Sequence, residues 1–300
     1  MKKLLCSLLI LSIFCLSCSK SINNGLPIIK SNKLVLNPLD KDKQSVFWGD
    51  YERDFIFWST NYTALDASKN KISKQEFLKE LTTGNFVPIK VSTEDSTLSY
   101  QLLKLNNPDT KNKELSSLVK TEAVTQLHFW EMEGKPLPKF NFTDLNGRVY
   151  NTENTKGKLV VVKCWFIGCT NCIKEMPMLN KLVKKFENKD DIVFLSLAYD
   201  SADDLKKFLT RKTFDYSIAS VPNSFFSDDL GVYAYPTHII IDRNGLVQNV
   251  TTDGKNIVTH LGKDKNGASE IINNSEKMLI AKRIMNMGSM PPPPPPSLMK

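Results

Sequence analysis

The strongest constraint on the fold is a strand pattern that leaves neither side free to face water. The run from Leu159 to Val162 is entirely apolar and follows Gly157, which is typical of a strand buried on both faces. The next segment, Cys172 to Phe186, has apolar residues at helical spacing, and Ile192 to Ala198 is a second buried-strand pattern. This alternation predicts an α/β unit with a mixed sheet that helices cover on both faces.

Turn signals predict the rest of this unit. Apolar residues flank Asn146-Gly147, a pair that is typical of a β-hairpin. The turn from Asp242 to Gly245 would join strands at His238–Ile241 and Leu246–Val250. The predicted order is hairpin, strand, helix, strand, helix, strand and strand, followed by a helix at about Ala268–Met287.

Residues 46–133 have a different pattern and predict a separate α+β region of unknown function. Aromatic, strand-like runs occur at three places: Val46–Trp48, Phe55–Trp58 and Phe86–Val91. Ser73 and Glu76 have the spacing of a capping box, and the apolar stripe that follows them predicts a helix. A second helix is predicted from about Asn112 to Glu133.

Residues 1–17 predict an export signal. Two lysines precede an apolar run from Leu4 to Leu16, which is shorter than the roughly 20 residues of a membrane span. Cys18 follows a small residue, and this arrangement resembles a bacterial lipobox. Cleavage before Cys18 would let its thiol carry a lipid, which implies anchoring to a membrane of the periplasm or cell envelope, with residues 18–45 as a tether. The alternative is an ordinary secretory signal in which Cys18 is incidental.

Composition argues against two classes of protein, nucleic-acid-binding proteins and disulfide-rich scaffolds. The formal net charge is +8, but the lysines are spread evenly and form no arginine-rich stripe, so nucleic-acid binding is not predicted. Six cysteines in 300 residues are too few for a disulfide scaffold. The six consecutive prolines within residues 288–300 predict a disordered or extended tail.

Cys169 and Cys172 carry the candidate chemistry. A thiol–disulfide exchanger needs an attacking thiolate and a second thiol close enough to resolve the mixed disulfide. Cys169 is predicted at a helix N-terminus, where free amides and the helix dipole stabilise a thiolate, and Cys172 lies one turn further on. Cys169 is therefore predicted to attack and Cys172 to resolve. The alternatives are a structural disulfide and half of a zinc site, although zinc needs four ligands and the three histidines are not at ligand spacing.

The block from Val160 to Phe186, which contains the run CWFIGCTNCIKEMP from Cys164 to Pro177, resembles the active-site region of a known family. That family is the TlpA/ResA-like thiol–disulfide oxidoreductases of the thioredoxin superfamily. The resemblance covers roughly residues 136–255. It implies a thioredoxin-like fold over residues 134–287, with the hairpin as an N-terminal extension, and thiol–disulfide exchange without a bound cofactor.

The resemblance also implies roles for residues around the cysteine pair. Trp165 matches an aromatic position of the family, and Tyr235, Pro236 and Thr237 match its cis-proline loop, so these four residues are expected to shape the substrate site. Glu175 matches a carboxylate that can tune the pKa of the second thiol and move a proton. The alternative for Glu175 is an acid that the helix dipole favours in the first turn.

Four residues depart from the family pattern or suggest another function. Gly168 replaces the tryptophan that commonly precedes the first cysteine. Lys163 stands where thioredoxins carry a buried acid. A charged Lys163 would favour a thiolate in the cysteine pair, whereas a buried Lys163 would be neutral. Alternatively, its aliphatic stem only extends to a sheet edge and the residue has no role. Cys164 is predicted to be a buried, inert thiol. His238 suggests a copper site with the cysteine pair, although no metal is expected.

These features together predict a lipid-anchored, extracytoplasmic thiol–disulfide oxidoreductase. The expected partners are exported proteins with disulfides and a membrane electron donor, and reduction is the commoner direction that the resemblance implies. The direction does not follow from the sequence, because it depends on the relative stability of dithiol and disulfide. The alternative function is a copper-handling protein or a non-catalytic scaffold with a thioredoxin-like domain.

Overall fold

The structure of the chain, a computed structural model, describes residues 29–30, 33–34, 44–91, 97–106, 108 and 112–262. Four predictions lie outside the described residues: the signal over residues 1–17, the lipid on Cys18, the helix at about residues 268–287 and the tail over residues 288–300. Within the predicted tether, the two-residue strands β1 (Ile29–Lys30) and β2 (Lys33–Leu34) pair in antiparallel fashion.

A four-stranded sheet and its helices form the N-terminal part of the described chain. The elements are α1 (Gln44–Phe55), β3 (Thr63–Leu65), β4 (Lys71–Ile72), α2 (Lys74–Thr82), β5 (Phe86–Val91), β6 (Ser99–Lys104) and α3 (Lys113–Met132). The strand order is β4-β3-β6-β5. The capping box of Ser73 and Glu76 is present at the start of α2, and this box, β5 and α3 confirm the predictions for those segments.

The strands predicted at Val46–Trp48 and Phe55–Trp58 are wrong, because the first segment and Phe55 belong to helix α1 and residues 56–58 lie in the loop that follows it. Trp48, Tyr51 and Phe55 are spaced by three and four residues on α1, and successive ring centroids lie 5.9 Å and 5.3 Å apart. Trp48 and Tyr51 are buried in the core of the N-terminal part. Aromatic residues favour strands on average, but here their spacing matches a helix with one buried face.

The C-terminal part is built on a five-stranded mixed sheet. Its elements are β7 (Asn141–Thr143), β8 (Val149–Asn151), β9 (Leu159–Trp165), α4 (Thr170–Lys185), β10 (Ile192–Ala198), α5 (Ala202–Leu209), β11 (Ser217–Ser220), β12 (Thr237–Ile241), β13 (Val247–Thr251) and α6 (Gly254–Gly262). The strand order is β11-β10-β9-β12-β13. Strands β9, β10 and β11 run parallel, and β12 is antiparallel to both neighbours. This is the thioredoxin-like fold that the sequence predicted, with the β7–β8 hairpin before it.

Both faces of this sheet are covered. All of β9 is buried. On one face, Trp165 of β9 packs with Met176 of α4 and Ile257 of α6. On the other face, Val162 shares a core with Phe129, which comes from α3. The last helix of the N-terminal part therefore helps to cover the sheet that carries the cysteine pair.

Among the strands and α-helices described in the C-terminal part, two were not predicted. Strand β11 has a serine at each end, and its inner residues Ile218 and Ala219 are too short an apolar run to indicate a strand alone. Helix α6 begins at Gly254, a residue that helices disfavour. In the part of the chain that is described, no helix is long and apolar enough to span a bilayer.

Candidate active site

The candidate site lies where β9 ends and α4 begins. Cys169 occupies the N-cap position of α4 and forms a disulfide with Cys172, with 5.2 Å between the two Cα atoms. The backbone N–H of Cys172 donates to Cys169 Sγ at 3.2 Å. Cys169 keeps 7% of its surface exposed, whereas Cys172 is fully buried. In the dithiol state, a thiolate at Cys169 would be stabilised by the helix N-terminus, and it would be the sulfur that a substrate can reach.

The loop between β9 and Cys169 is tied to the end of β10. Trp165 is fully buried, and its Nε1–H donates to the hydroxyl of Ser196. The backbone N–H of Ile167 donates to Asp200 Oδ2 at 2.8 Å. Trp165 therefore lies below the site and positions the loop, rather than meeting a substrate at the surface.

An aromatic rim borders the cysteine pair. Phe166 stacks on Tyr199 with 5.1 Å between ring centroids and meets Tyr235 edge-on at 5.5 Å. A Cβ atom on Gly168 would come within 3.0 Å of Phe166 Cε2, so the Phe166 ring fills the space beside this glycine. Phe166 and Tyr199 were not predicted as site residues. Their positions directly after the two central strands are the signal that could have identified them.

The predicted cis-proline loop is present. The Tyr235–Pro236 peptide bond is cis. Thr237, the first residue of β12, is buried, pairs with Cys164 of β9 and donates its hydroxyl to the Ala234 carbonyl at 2.7 Å. The loop therefore leads into β12, the strand directly beside β9. Since β9 ends just before the cysteine pair, the loop and the pair lie at the same end of these two strands.

A buried charge network lies behind the disulfide. Lys163 Nζ donates to Glu175 Oε2 at 2.6 Å, and His238 Nε2 lies 3.0 Å from the same oxygen. The backbone N–H of Gly254 donates to Glu175 Oε1 at 2.7 Å. The Lys163 and His238 side chains are fully buried, and that of Glu175 is 15% exposed. Both carboxylate oxygens are therefore held by donors from three elements of the fold.

The network sets the ionisation of its members. Burial raises the pKa of Glu175, but the hydrogen bonds and charges of His238 and Lys163 outweigh it and lower that pKa to about 2. Burial lowers the pKa of Lys163 and of His238, while the Glu175 carboxylate acts against both shifts. Glu175 is therefore ionised at neutral pH, with Lys163 as its nearest cation.

Two further predictions concern neighbours of this network. Cys164 is a free, buried thiol, as predicted, and burial raises its pKa to about 12, so it stays protonated. His238 directs Nε2 to Glu175, so this nitrogen is already hydrogen-bonded rather than free for copper. Among the residues with described positions, no group of three or more His, Cys, Asp or Glu side chains is arranged to hold a metal ion.

Comparison with known proteins agrees with this geometry. Residues 134–250 match the model of the AhpC/TSA family. The matched residues are those of the thioredoxin-like domain, which is similar to this family. The thioredoxin-like domain is 32% identical, over 115 residues, to the thiol-disulfide oxidoreductase ResA of Bacillus thuringiensis subsp. konkukian, a match that covers 38% of this chain and 66% of ResA. The predicted resemblance to ResA-like proteins is confirmed.

Two other proteins illustrate the same similarity. The domain is 30% identical over 119 residues to the thiol:disulfide interchange protein DsbE of Vibrio cholerae, covering 38% of this chain and 62% of DsbE. A solved thioredoxin domain of a thiol-disulfide oxidoreductase from Bacteroides vulgatus superposes with a TM-score of 0.40 and 25% identity, covering 44% of this chain and 96% of that domain. The match spans slightly less than two thirds of ResA and of DsbE.

The charge network of the thioredoxin-like domain predicts that acid destabilises the fold. The carboxyl of Glu175 has a lower pKa in the folded state than its ordinary 4.5, so its stabilisation is complete above about pH 4.5 and is lost as the pH falls toward about 2. The pKa of His238 is also lowered by burial, so protonation of the unfolded chain below about pH 6.5 acts in the same direction.

Urea unfolding between pH 7 and pH 3 should therefore show a steadily falling free energy of unfolding. In Glu175→Gln, the contribution of Glu175 to the fall below about pH 4.5, of order 3 kcal/mol when extended to pH 2, should be missing. Glu153→Gln, at an exposed position, is the matched control and should keep the full slope. An unchanged slope in Glu175→Gln would show that this carboxylate does not titrate as the network requires.

Proposed function

We propose that this chain is a thiol–disulfide oxidoreductase that acts outside the cytoplasm, held at a membrane by a lipid on Cys18. The observation that carries the proposal is the Cys169–Cys172 disulfide at the N-terminus of α4, in which Cys169 is the partner that reaches the surface. The names of ResA and DsbE support the same chemistry. Exported proteins with disulfides are the proposed substrates, and a membrane protein is the proposed electron donor.

Reduction of a substrate would take two exchanges. The Cys169 thiolate attacks one sulfur of the substrate disulfide, a mixed disulfide forms, and the other sulfur leaves and takes a proton from solvent. Cys172 then attacks Cys169 Sγ, its thiol proton passes to the departing substrate sulfur, and the Cys169–Cys172 disulfide forms. The substrate has gained two electrons and two protons as a dithiol, and the membrane donor restores the enzyme's dithiol with two electrons.

Glu175 is proposed to control the second cysteine. It follows Cys172 by three residues on α4, so the two side chains share a face of the helix. An ionised carboxylate held there by Lys163 and His238 disfavours a second negative charge on Cys172. Cys172 would then stay protonated until the mixed disulfide forms. Because its pKa is about 2 and both of its oxygens accept hydrogen bonds, Glu175 would act on this thiol through its charge rather than by carrying its proton.

The substrate chain is proposed to lie along the cis-proline loop. The main chain of Tyr235, next to Pro236, would pair with an extended substrate segment beside Cys169. Phe166 and Tyr199 would provide the apolar contact that the tryptophan absent at position 168 supplies in the family.

The reduction potential of the Cys169–Cys172 pair tests the proposal. The soluble form from Ser19 onward is equilibrated with defined ratios of oxidised and reduced dithiothreitol, and free thiols are counted by alkylation and mass. A reversible two-electron couple near about −270 mV, as in thioredoxin, is the expected result. A value near about −120 mV would instead indicate an oxidant, and the absence of any reversible couple would overturn the enzymatic function.

A further inference from the structure

Lys163 lies on the face of the sheet that the cysteine-bearing helix covers. Side chains alternate along β9, and Val161, Lys163 and Trp165 share the face that packs against α4. Lys163 is fully buried, and its Nζ donates to Glu175 Oε2 at 2.6 Å. Within the described chain, no other lysine or arginine forms an ion pair with Glu175. A buried ammonium is costly unless an anion lies beside it, so the two residues depend on each other.

His238 is held as the neutral imidazole. It lies opposite Lys163 on the neighbouring strand β12, and its ring is fully buried. An ionised carboxylate only accepts hydrogen bonds, so His238 Nε2, at 3.0 Å from Glu175 Oε2, carries the hydrogen. His238 Nδ1 is buried and has no partner among the residues whose positions are described. A proton on Nδ1 would be a buried donor without an acceptor, so the geometry disfavours the imidazolium.

Lys163 and His238 therefore contact the same carboxylate oxygen but contribute differently to it. His238 supplies a hydrogen bond, whereas Lys163 supplies a hydrogen bond and the positive charge that balances Glu175. The charge of Lys163 also lowers the pKa of His238, in the same direction as burial, which is the larger cause. Without Lys163, His238 would be the nearest group that could become the counter-cation of Glu175.

The other ionisable groups around this network do not change the balance. Asp253 acts on His238 from the loop after β13, but it is exposed, so water screens its charge. Cys164 and Tyr216 are buried, and burial raises the pKa of both, so they stay neutral. The charge behind the cysteine pair is thus set by Glu175 and Lys163.

This balance matters most at the second exchange of the proposed reaction. Cys172 is fully buried and precedes Glu175 by about one helical turn. In this step the bond between Cys172 and Cys169 forms, the bond from Cys169 to the substrate sulfur breaks, and the Cys172 proton passes to the departing sulfur. Negative charge develops on Cys172 beside the carboxylate, and the Lys163 cation offsets the resulting repulsion.

We propose that Lys163 is a positioning residue for the second exchange: it holds Glu175 in place, balances its charge and keeps His238 neutral, so that Cys172 can attack. This role rests on the proposed function and adds to it. In a chain without Lys163, the rate of the second exchange would come to depend on the protonation of His238. In the unaltered chain it would not.

The ring of His238 reports this charge arrangement without redox turnover. The chain has three histidines, so nitrogen NMR of the mature chain from Ser19 can follow each ring, and His238→Gln identifies the signal. The ring should stay neutral, with its hydrogen on Nε2, between about pH 8 and pH 5.5. In Lys163→Met it should take up a second proton within this range. Titration of His238 in the unaltered chain, or no titration in Lys163→Met, would overturn the inference.

The rate of the second exchange tests the role in the reaction. With an excess of an activated peptide disulfide the first exchange is fast, and formation of the Cys169–Cys172 disulfide then reports the attack by Cys172. At about pH 8, Lys163→Met should form this disulfide at least about tenfold more slowly than the unaltered chain. At about pH 6 the two rates should agree within about threefold, because a protonated His238 then supplies the cation.

The first exchange separates this role from a general loss of structure. Adduct formation on Cys169, measured in Cys172→Ser, should change by less than about threefold when Lys163→Met is added. Cys169 reaches the surface and lies further along the chain from Glu175 than Cys172 does, so the carboxylate affects it less. An equal slowing of both exchanges would overturn the inference.

Two further variants complete the test. Lys181→Met, at an exposed position on α4, is the matched control and should keep the rate of the unaltered chain at both pH values. Adding Glu175→Gln to Lys163→Met should restore the rate at about pH 8, because neither charge remains. A tenfold loss in Lys163→Met that is the same at both pH values would overturn the inference. If Lys163→Met does not fold, the titration of His238 in the unaltered chain decides.

The two proposals fail separately. A chain that reduces disulfides but whose His238 titrates would overturn the role of Lys163 and leave the proposed function intact. A chain whose His238 stays neutral but which reduces no disulfide would overturn the proposed function and leave the charge arrangement in place.

Discussion

Replacing Cys169 with serine should lower the rate of disulfide reduction by more than about a thousandfold, because the attacking sulfur is lost. Cys172→Ser should also stop turnover, but only after the first exchange. In this variant Cys169 can still attack the substrate, and the mixed disulfide that forms is not resolved. Intact-mass measurement after incubation with a peptide disulfide should show one covalent half-substrate on Cys172→Ser and none on Cys169→Ser.

Cys164→Ala is the matched control for this pair of variants. It removes a buried thiol whose pKa is about 12 and which lies outside the exchange, so turnover should stay within about threefold of the unaltered chain. Turnover that survives in Cys169→Ser would show that the exchange does not need this sulfur. An adduct on Cys169→Ser would show that Cys172 is the attacking thiol, and the order of the two exchanges would then be reversed.

Glu175→Gln should destabilise the oxidised protein by about 3–5 kcal/mol, as found when one partner of a buried ion pair is removed. Lys163 is fully buried, and its Nζ donates to Glu175 at 2.6 Å, so the neutral amide would leave a buried ammonium without its counter-charge. Lys163→Met should cost less, because His238 and the Gly254 amide still hold the carboxylate. The double variant should regain most of the stability lost in Glu175→Gln.

Urea unfolding at pH 7 measures these differences, and Asp191→Asn is the matched control. Asp191 pairs with Arg243 at the surface, where both side chains are substantially exposed, so its loss should cost less than about 1 kcal/mol. If Glu175→Gln costs no more than Asp191→Asn, Lys163 is neutral in the folded protein, and the network is a set of hydrogen bonds rather than an ion pair.

Local sequence patterns predicted those helices and strands whose apolar spacing matches their burial in the folded protein. Strand β9 is apolar throughout because both of its faces are covered, and the hairpin β7–β8 is indicated by its Asn-Gly turn. Strand β11 lies at the edge of the sheet and has only two buried residues, so its pairing with β10 supplies most of the reason for it to be a strand. Helix α1 differs from the strand prediction because the spacing of Trp48 and Tyr51, rather than their residue type, decides that one face is buried.

The sequence by itself determined the strand–helix frame and the cysteine pair at its junction, because each depends on residues that are neighbours along the chain, and the family resemblance added the cis-proline loop. The ion pair of Lys163 with Glu175 and its contact with His238 were decided only by the tertiary structure. These groups come from segments far apart in sequence. Burial and charge act on them only after packing has brought them together, and no local pattern records which distant partners will meet.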